Sequence, residues 1–266
     1  MKKTLIILSV LMMTSLVWAH EYILLAYKYR LQRGDTLEMH LFVADGFNIQ
    51  MERPMQIAMT KKFDLVTQGA VTNLLTEAKD QALPILNKKV DFDGLGLLYL
   101  ERDYSRISLP TEKFLDYLKE DHIENITVHK DSLNKMQRER YSRYIKGLVL
   151  SGTPSNTDTL YKKKTGHTFE IILLQNPYML HTGDLLEAQV FFMDKPLGNK
   201  VITARNRTGN QNTLFLTSRT DKNGICSFKL PRNGEWFLHA TQMIPCPDKT
   251  DSDWESFWTS YSFEIE

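Results

Sequence analysis

What the chain lacks narrows it first. It has two cysteines in 266 residues, and neither stands in a Cys-x-x-Cys pair, so a thiol redox motif or a cysteine-rich zinc site is excluded. No charge of one sign dominates, with 33 basic residues against 32 acidic ones, and no basic stripe interleaved with aromatics speaks for nucleic acid. After the first twenty residues there is no long apolar run that would cross a membrane as a helix. Catalytic signatures are missing too: there is no Gly-x-Ser-x-Gly, no His-Glu-x-x-His and no phosphate-cradling glycine loop. Gly94-Leu95-Gly96 lacks the third glycine of a dinucleotide site. The expectation is a protein that is not an enzyme.

What is present begins with an address. Lys2 and Lys3 precede an apolar run over residues 5–13, and Val17 and Ala19 sit where a signal protease reads small residues. Residues 1–19 are expected to be a secretory signal peptide, cut between Ala19 and His20. The run is about nine residues where a membrane span needs roughly twenty, and no cysteine follows the cut to take a lipid. Removing 19 of 266 residues leaves 247, and losing two lysines takes the formal charge from +1 to −1. The expected location is the periplasm or the exterior.

The first segment, 20–150, reads as β-rich. Over 36–44 the alternation is clean, with Leu37, Met39, Leu41 and Val43 on one face and Glu38, His40 and Phe42 on the other. Similar stretches lie at 55–66 and 84–92, and 94–101 reads as a strand broken by turn residues. Residues 71–82 fit helix or strand equally. One helix is expected over 111–120, with Thr111 as N-cap, Glu112 in the first turn, and Phe114, Leu115 and Leu118 as its apolar stripe. A charge-dense connector, 130–140, leads to a returning strand at 141–150.

Residues 151–165 are rich in Ser, Thr, Gly and Lys and read as a linker. Beyond them, 166–266 carries short alternating strands with turn signals every 8 to 12 residues, the pattern of a β-sandwich. The fold class expected is mainly β: two β-sandwich-like domains, the first with one short helix. A two-residue hairpin at Asn233-Gly234 would set Cys226 opposite residue 241. Cys246 would then lie five residues further on, ~17 Å at about 3.4 Å per residue. A disulfide between the two cysteines is left open.

Thr220-Asp221-Lys222-Asn223-Gly224 followed by a strand and Gly234-Glu235-Trp236 resembles the transthyretin-like and carboxypeptidase-regulatory-like sandwich modules. Asn176-Pro177, Gly183-Asp184, Lys195-Pro196-Leu197 and the run from Asp253 to Trp258 are similar to a family of secreted bacterial proteins, domain-of-unknown-function family 4198. In the first half Glu112-Lys113-Phe114-x-x-Tyr117-Leu118 and Glu139-x-Tyr141-x-Arg143-x-x-Lys146 fit that family as well, as does His20-Glu21. The resemblance implies a periplasmic protein associated with nickel or cobalt uptake. It also implies a histidine about six residues after Trp236, where this chain has Gln242.

The candidate chemistry centres on His20. A mature N-terminal histidine offers its α-amine and imidazole to one cation, a nitrogen chelate suited to Ni(II), Co(II) or Cu(II). The amine must lose its proton, so affinity is expected to fall below about pH 7.7 to 8.0. His239 and His40 are the candidate companion ligands, although each alone reads more simply as a structural histidine. His239 is an odd number of residues from Gln242 and on a strand would face the other way. A copper oxygenase is a remoter possibility on the same chelate. Asp248, Asp251, Asp253 and Glu255 form an acidic run that reads as a solvated loop, without the spacing of a helix-loop-helix calcium site. Trp254, Trp258 and Tyr261 read as core in preference to a sugar-stacking surface. The expected function is a non-enzymatic nickel or cobalt binding protein that delivers metal to a membrane uptake component. The alternative is a cell-envelope module that recognises protein or glycan.

Overall fold

The computed structural model describes residues 21–129, 135–209 and 211–266; His20 and the expected signal peptide lie outside the described residues. The fold is mainly β, with 54% of residues in strands and 9% in helix, and its strands form three sheets. The largest sheet runs β14 (Leu214–Arg219), β13 (Val201–Arg207), β16 (Gly234–Pro245), β17 (Trp254–Ile265), β9 (Met136–Ser151), β8 (Gly94–Pro110), β5 (Thr60–Thr67) and β6 (Ala70–Asn73). Short β2 (Arg30–Leu31) joins it beside β9. A second sheet holds β1 (Glu21–Ala26), β3 (Thr36–Asp45) and β4 (Asn48–Arg53), with β7 (Leu86–Lys89) on the flank of β3. The third holds β10 (Phe169–Leu173), β11 (Leu185–Phe192) and β12 (Lys195–Pro196), with β15 (Ile225–Lys229) beside β11.

The joint of the molecule is the parallel pairing of β9 with β17, from Glu139 opposite Trp254 to Gly147 opposite Ser262. Strands from either side of the 151–165 segment therefore share one sheet, and within that segment Leu160 and Tyr161 pack against the main core. Alternation along β17 follows the sequence: Phe257, Tyr261, Phe263 and Ile265 enter the main core, while Trp258, Ser260 and Ser262 take the other face. Both faces are covered. On one, the buried Lys146 ammonium meets the Glu170 carboxylate of β10 at 2.5 Å. On the other, β1 presents its open edge, and its backbone carbonyls at Tyr22 and Leu24 accept hydrogen bonds from the hydroxyls of Ser260 and Ser262. Serine hydroxyls thus satisfy an edge that no further strand pairs. Gly147 allows the approach: a Cβ there would lie 3.2 Å from Met39 Cε and 3.4 Å from Leu24 Cδ2.

The helix α1 (Thr111–Glu120) lies where the sequence places it, but its N-cap is Pro110 and not Thr111. Pro110 holds an extended backbone, and Thr111, the first helical residue, donates its hydroxyl to the Lys135 carbonyl at 3.0 Å. Phe114, Tyr117 and Leu118 pack on Met243 and Trp258. Leu115 is on the exposed side, 41% accessible, so the apolar stripe runs through Tyr117 in its place. The hairpin at Asn233-Gly234 does not form. β15 pairs with β11, which sets Cys226 opposite Ala188, while β16 pairs with β13 and β17 in the large sheet. Gly234, at φ 98°, turns the chain from one sheet to the other where a Cβ would come within 2.5 Å of the Arg207 carbonyl. Both cysteines are free and buried. The 71–82 ambiguity resolves as β6 followed by a single 3-10 turn, Leu74–Thr76, capped by the Asn73 side chain.

Candidate functional site

Glu21 opens β1, on the side of that strand facing β13 and β16. Its carboxylate lies 3.4 Å from His239 Nδ1 and 3.9 Å from the Arg205 guanidinium, and it accepts the Gly46 amide at 3.1 Å. Burial raises the Glu21 pKa to about 7 against the pull of Arg205 and that amide. His239 sits mid-strand on β16, 3% exposed, with its ring tilted 42° to Trp258 at 5.6 Å. Burial and then the cations Arg205, Lys200 and Arg143 lower its pKa to about 3, so the ring is neutral at physiological pH. A carboxylate beside Nδ1 favours the proton on that nitrogen and leaves the lone pair on Nε2. Among the described residues Nε2 has no hydrogen-bond partner, and neither has the buried hydroxyl of the nearby Thr241. An oriented, neutral, unengaged imidazole is what a cation or a proton donor would use.

The other expected ligand is differently placed. His40 stands on β3 with Nε2 2.9 Å from Glu38 and Nδ1 2.7 Å from Glu52, so both ring nitrogens are engaged by carboxylates. It stacks on Phe42 as part of a cross-strand cluster. The structure brings His239 to Glu21, the residue after His20, and does not bring His40 there. Among the described residues no group of three or more His, Cys, Asp or Glu side chains is gathered as a metal site.

Gln242 and His239 point away from each other, as strand alternation requires. Gln242 lines a cleft of about 180 Å³ together with His122, Glu124, Asn125 and Lys200. Burial lowers Lys200 to about 8, and its ammonium donates to the His122 carbonyl at 2.8 Å. A buried ammonium is a poor neighbour for a metal cation.

Packing accounts for other polar and aromatic residues that stand out in the sequence. His167 is 3% exposed, packed between Tyr99 and Tyr144. The acidic run is tied to arginines: Arg138 to Asp253, Arg106 and Arg140 to Asp251, and Arg140 to Glu255 at 2.7 Å. Trp258 and Tyr261, at 3% and 0% exposure, are core.

Two residues of the motif on β9, to which the sequence assigned no role, are buried in the fold. Glu139 is buried beneath α1, where Tyr117 donates to it at 3.1 Å and Ser256 also donates, and burial lifts its pKa to about 7. Arg143 lies against Tyr22, its Cζ 3.8 Å from the ring centroid. Both belong to the Glu139-x-Tyr141-x-Arg143-x-x-Lys146 pattern, but nothing in it told that their side chains would be buried, since Glu139 stands between Arg138 and Arg140 in a charge-dense run.

No curated protein matches the chain. Among solved structures it is similar to the D0-D1 domain of Intimin, at 11% identity over 91% of this chain and 96% of that one with a TM-score of 0.22. It is also similar to a tetra-tandem repeat in the extending region of a large adhesion protein, at 10% identity over 91% of this chain and 49% of that one with a TM-score of 0.22. The family model for a domain of unknown function, DUF4198, matches residues 17–244, most of the chain, and the protein belongs to that family.

Proposed function

We propose that the protein is a non-catalytic binder of nickel or cobalt that works in the periplasm, taking the ion as cargo and passing it to a membrane uptake component. The donors are the amine and imidazole of His20 with Nε2 of His239, and Glu21 orients the His239 ring or adds its own carboxylate. The observation that carries the reading is the buried, neutral His239, its Nδ1 3.4 Å from Glu21 and its Nε2 without a partner. Glu21 is one peptide bond from His20, which links the two halves of the donor set. An imidazole that stays neutral to about pH 3 does not compete with the metal for protons, so the pH dependence of binding falls to the His20 amine and to Glu21. Cu(II) would fit the same nitrogen donors by ligand preference.

The test is calorimetric titration of Ni(II), Co(II) and Cu(II) into protein that begins at His20 and into a form with one added glycine before it. A loss of affinity of tenfold or more in the extended form, and again in His239→Ala, is expected. Equal affinity in all three proteins would overturn the chelate and leave a cell-envelope module that recognises protein or glycan.

A further inference from the structure

On the opposite side of β1 from the Glu21 carboxylate, three arginines gather without a carboxylate at ion-pair distance among the described residues, although the Arg143 charge reaches the buried Glu139. Arg102 and Arg143 are register partners on β8 and β9, 5% and 8% exposed. Arg53 ends β4 opposite Leu41 and completes the group from the second sheet. The register sets Arg102 beside Arg143, and burial, followed by the charges of Arg143 and Arg53, holds the Arg102 pKa below its usual value. Arg102 spends its hydrogen bonds on neutral acceptors, Thr60 Oγ1 at 3.3 Å and Gln56 Oε1 at 2.5 Å. Among the described residues none of the three forms an ion pair. Arg143 and Arg53 each bury an Nε–H that has no acceptor.

The aromatic frame gives Arg143 a direction. Its Cζ is 3.8 Å from the ring centroid of Tyr22 and 4.5 Å from that of Tyr141. Packing by those rings restrains the planar fork and leaves its buried Nε–H without an acceptor among the described residues, the preorganisation that oxyanion recognition by arginine uses. Guanidinium groups held together in a low-dielectric site repel one another, and a buried cation is costly unless a counter-charge arrives. Elsewhere the protein does pair its buried or half-buried cations, as with Lys146 and Glu170 or Arg140 and Glu255. Lys200 is also buried without an ion pair among the described residues, and it donates to the His122 carbonyl in place of one.

We propose that Arg53, Arg102 and Arg143 form a binding site for a multiply charged oxyanion, a phosphate or a small polycarboxylate, seated between β4 and the β8–β9 pair beside Tyr22. The site uses none of the proposed metal ligands and lies across β1 from Glu21, while Arg143 and His239 both border Trp258.

Calorimetric titration of the whole protein with inorganic phosphate, and in a second arm with citrate, tests it in low-salt buffer without metal. Saturable binding of at least one probe is expected, weakened tenfold or more in Arg143→Lys, which keeps the charge and loses the fork. Arg53→Gln, at a half-buried position that folding tolerates more readily, is expected to weaken the same probe by at least threefold. The arm that saturates distinguishes phosphoryl from carboxylate chemistry. Failure of both probes to bind the parent protein, or equal affinity in the parent and Arg53→Gln, would overturn the site. Neither result bears on the nickel and cobalt titration, which needs no anion.

Discussion

Ser260 Oγ donates a hydrogen bond of 2.8 Å to the backbone carbonyl of Tyr22, across 238 residues of chain. Ser262 repeats the contact at Leu24. These two hydroxyls hold the first described strand upright on the last, and they set Glu21 to one side of the seam and Tyr22 to the other. The proposed metal donors and the arginine cluster owe their separation to that placement.

Replacing Ser260 with alanine leaves the Tyr22 carbonyl buried without its donor, which costs about 1–3 kcal/mol. Chemical denaturation should show a lowered midpoint with little change in slope. An unchanged midpoint would mean that β1 is held by side-chain packing alone.

The Lys146–Glu170 pair is buried on both sides, at 2% and 1% side-chain exposure. Lys146→Met strands the Glu170 carboxylate in the core and is expected to cost about 3–5 kcal/mol, whereas the double change Lys146→Met with Glu170→Leu should recover much of that loss. Urea titrations of the parent, the single and the double variant decide it. A double variant as weak as the single would show that the loss comes from packing around the lysine stem.

Glu139 makes stability depend on pH in a fixed direction. Burial raises its pKa from 4.5 to about 7, so the folded state keeps a proton that the unfolded chain releases. Its contribution is fully present below about pH 4.5 and is lost as pH rises through about 7. Glu21, also raised to about 7, acts with the same sign. Thermal melts from pH 4.5 to 7.5 should fall less steeply for Glu139→Gln than for the parent. Equal slopes would show that the Glu139 carboxyl titrates normally.

Both cysteines are free, and burial pushes the Cys226 thiol up to about 12. Thiol titration should count two reactive groups in denaturant, with Cys226 unreactive in the native protein at neutral pH. A count of zero in denaturant without reductant would mean a disulfide.

Local order was readable in the chain. β3 and the first turns of α1 came from side-chain periodicity, because a strand buried on one face and a helix packed on one stripe write their exposure into alternation. The companion for His20 was legible only in part. His239 was a candidate by position, and its contact with Glu21 belongs to the β1–β16 packing. His40 offered an equal signal; its neighbour Glu38 stands two residues away on the same face of β3, but Glu52, which engages the other ring nitrogen, comes from β4 and needs the cross-strand register. The β15–β16 hairpin misled because Asn233-Gly234 suits a tight turn, and nothing local distinguishes a return within a sheet from a step to another sheet. The length of β8, 17 residues with a register shift between Arg102 and Ser105, was hidden by polar residues that cross-strand partners accommodate.

The sequence by itself determined the class of the fold, the place of its helix and the family, since these rest on local periodicity and on motifs fixed in order along the chain. Tertiary structure alone decided that β9 and β17 pair in parallel, that β1 stands edge-on against serines, and that Glu21 meets His239 while Arg53, Arg102 and Arg143 meet one another. Those contacts join residues tens to hundreds of positions apart. Their energies come from burial, desolvation and hydrogen-bond satisfaction in the assembled core, none of which a side chain expresses until its partners are in place.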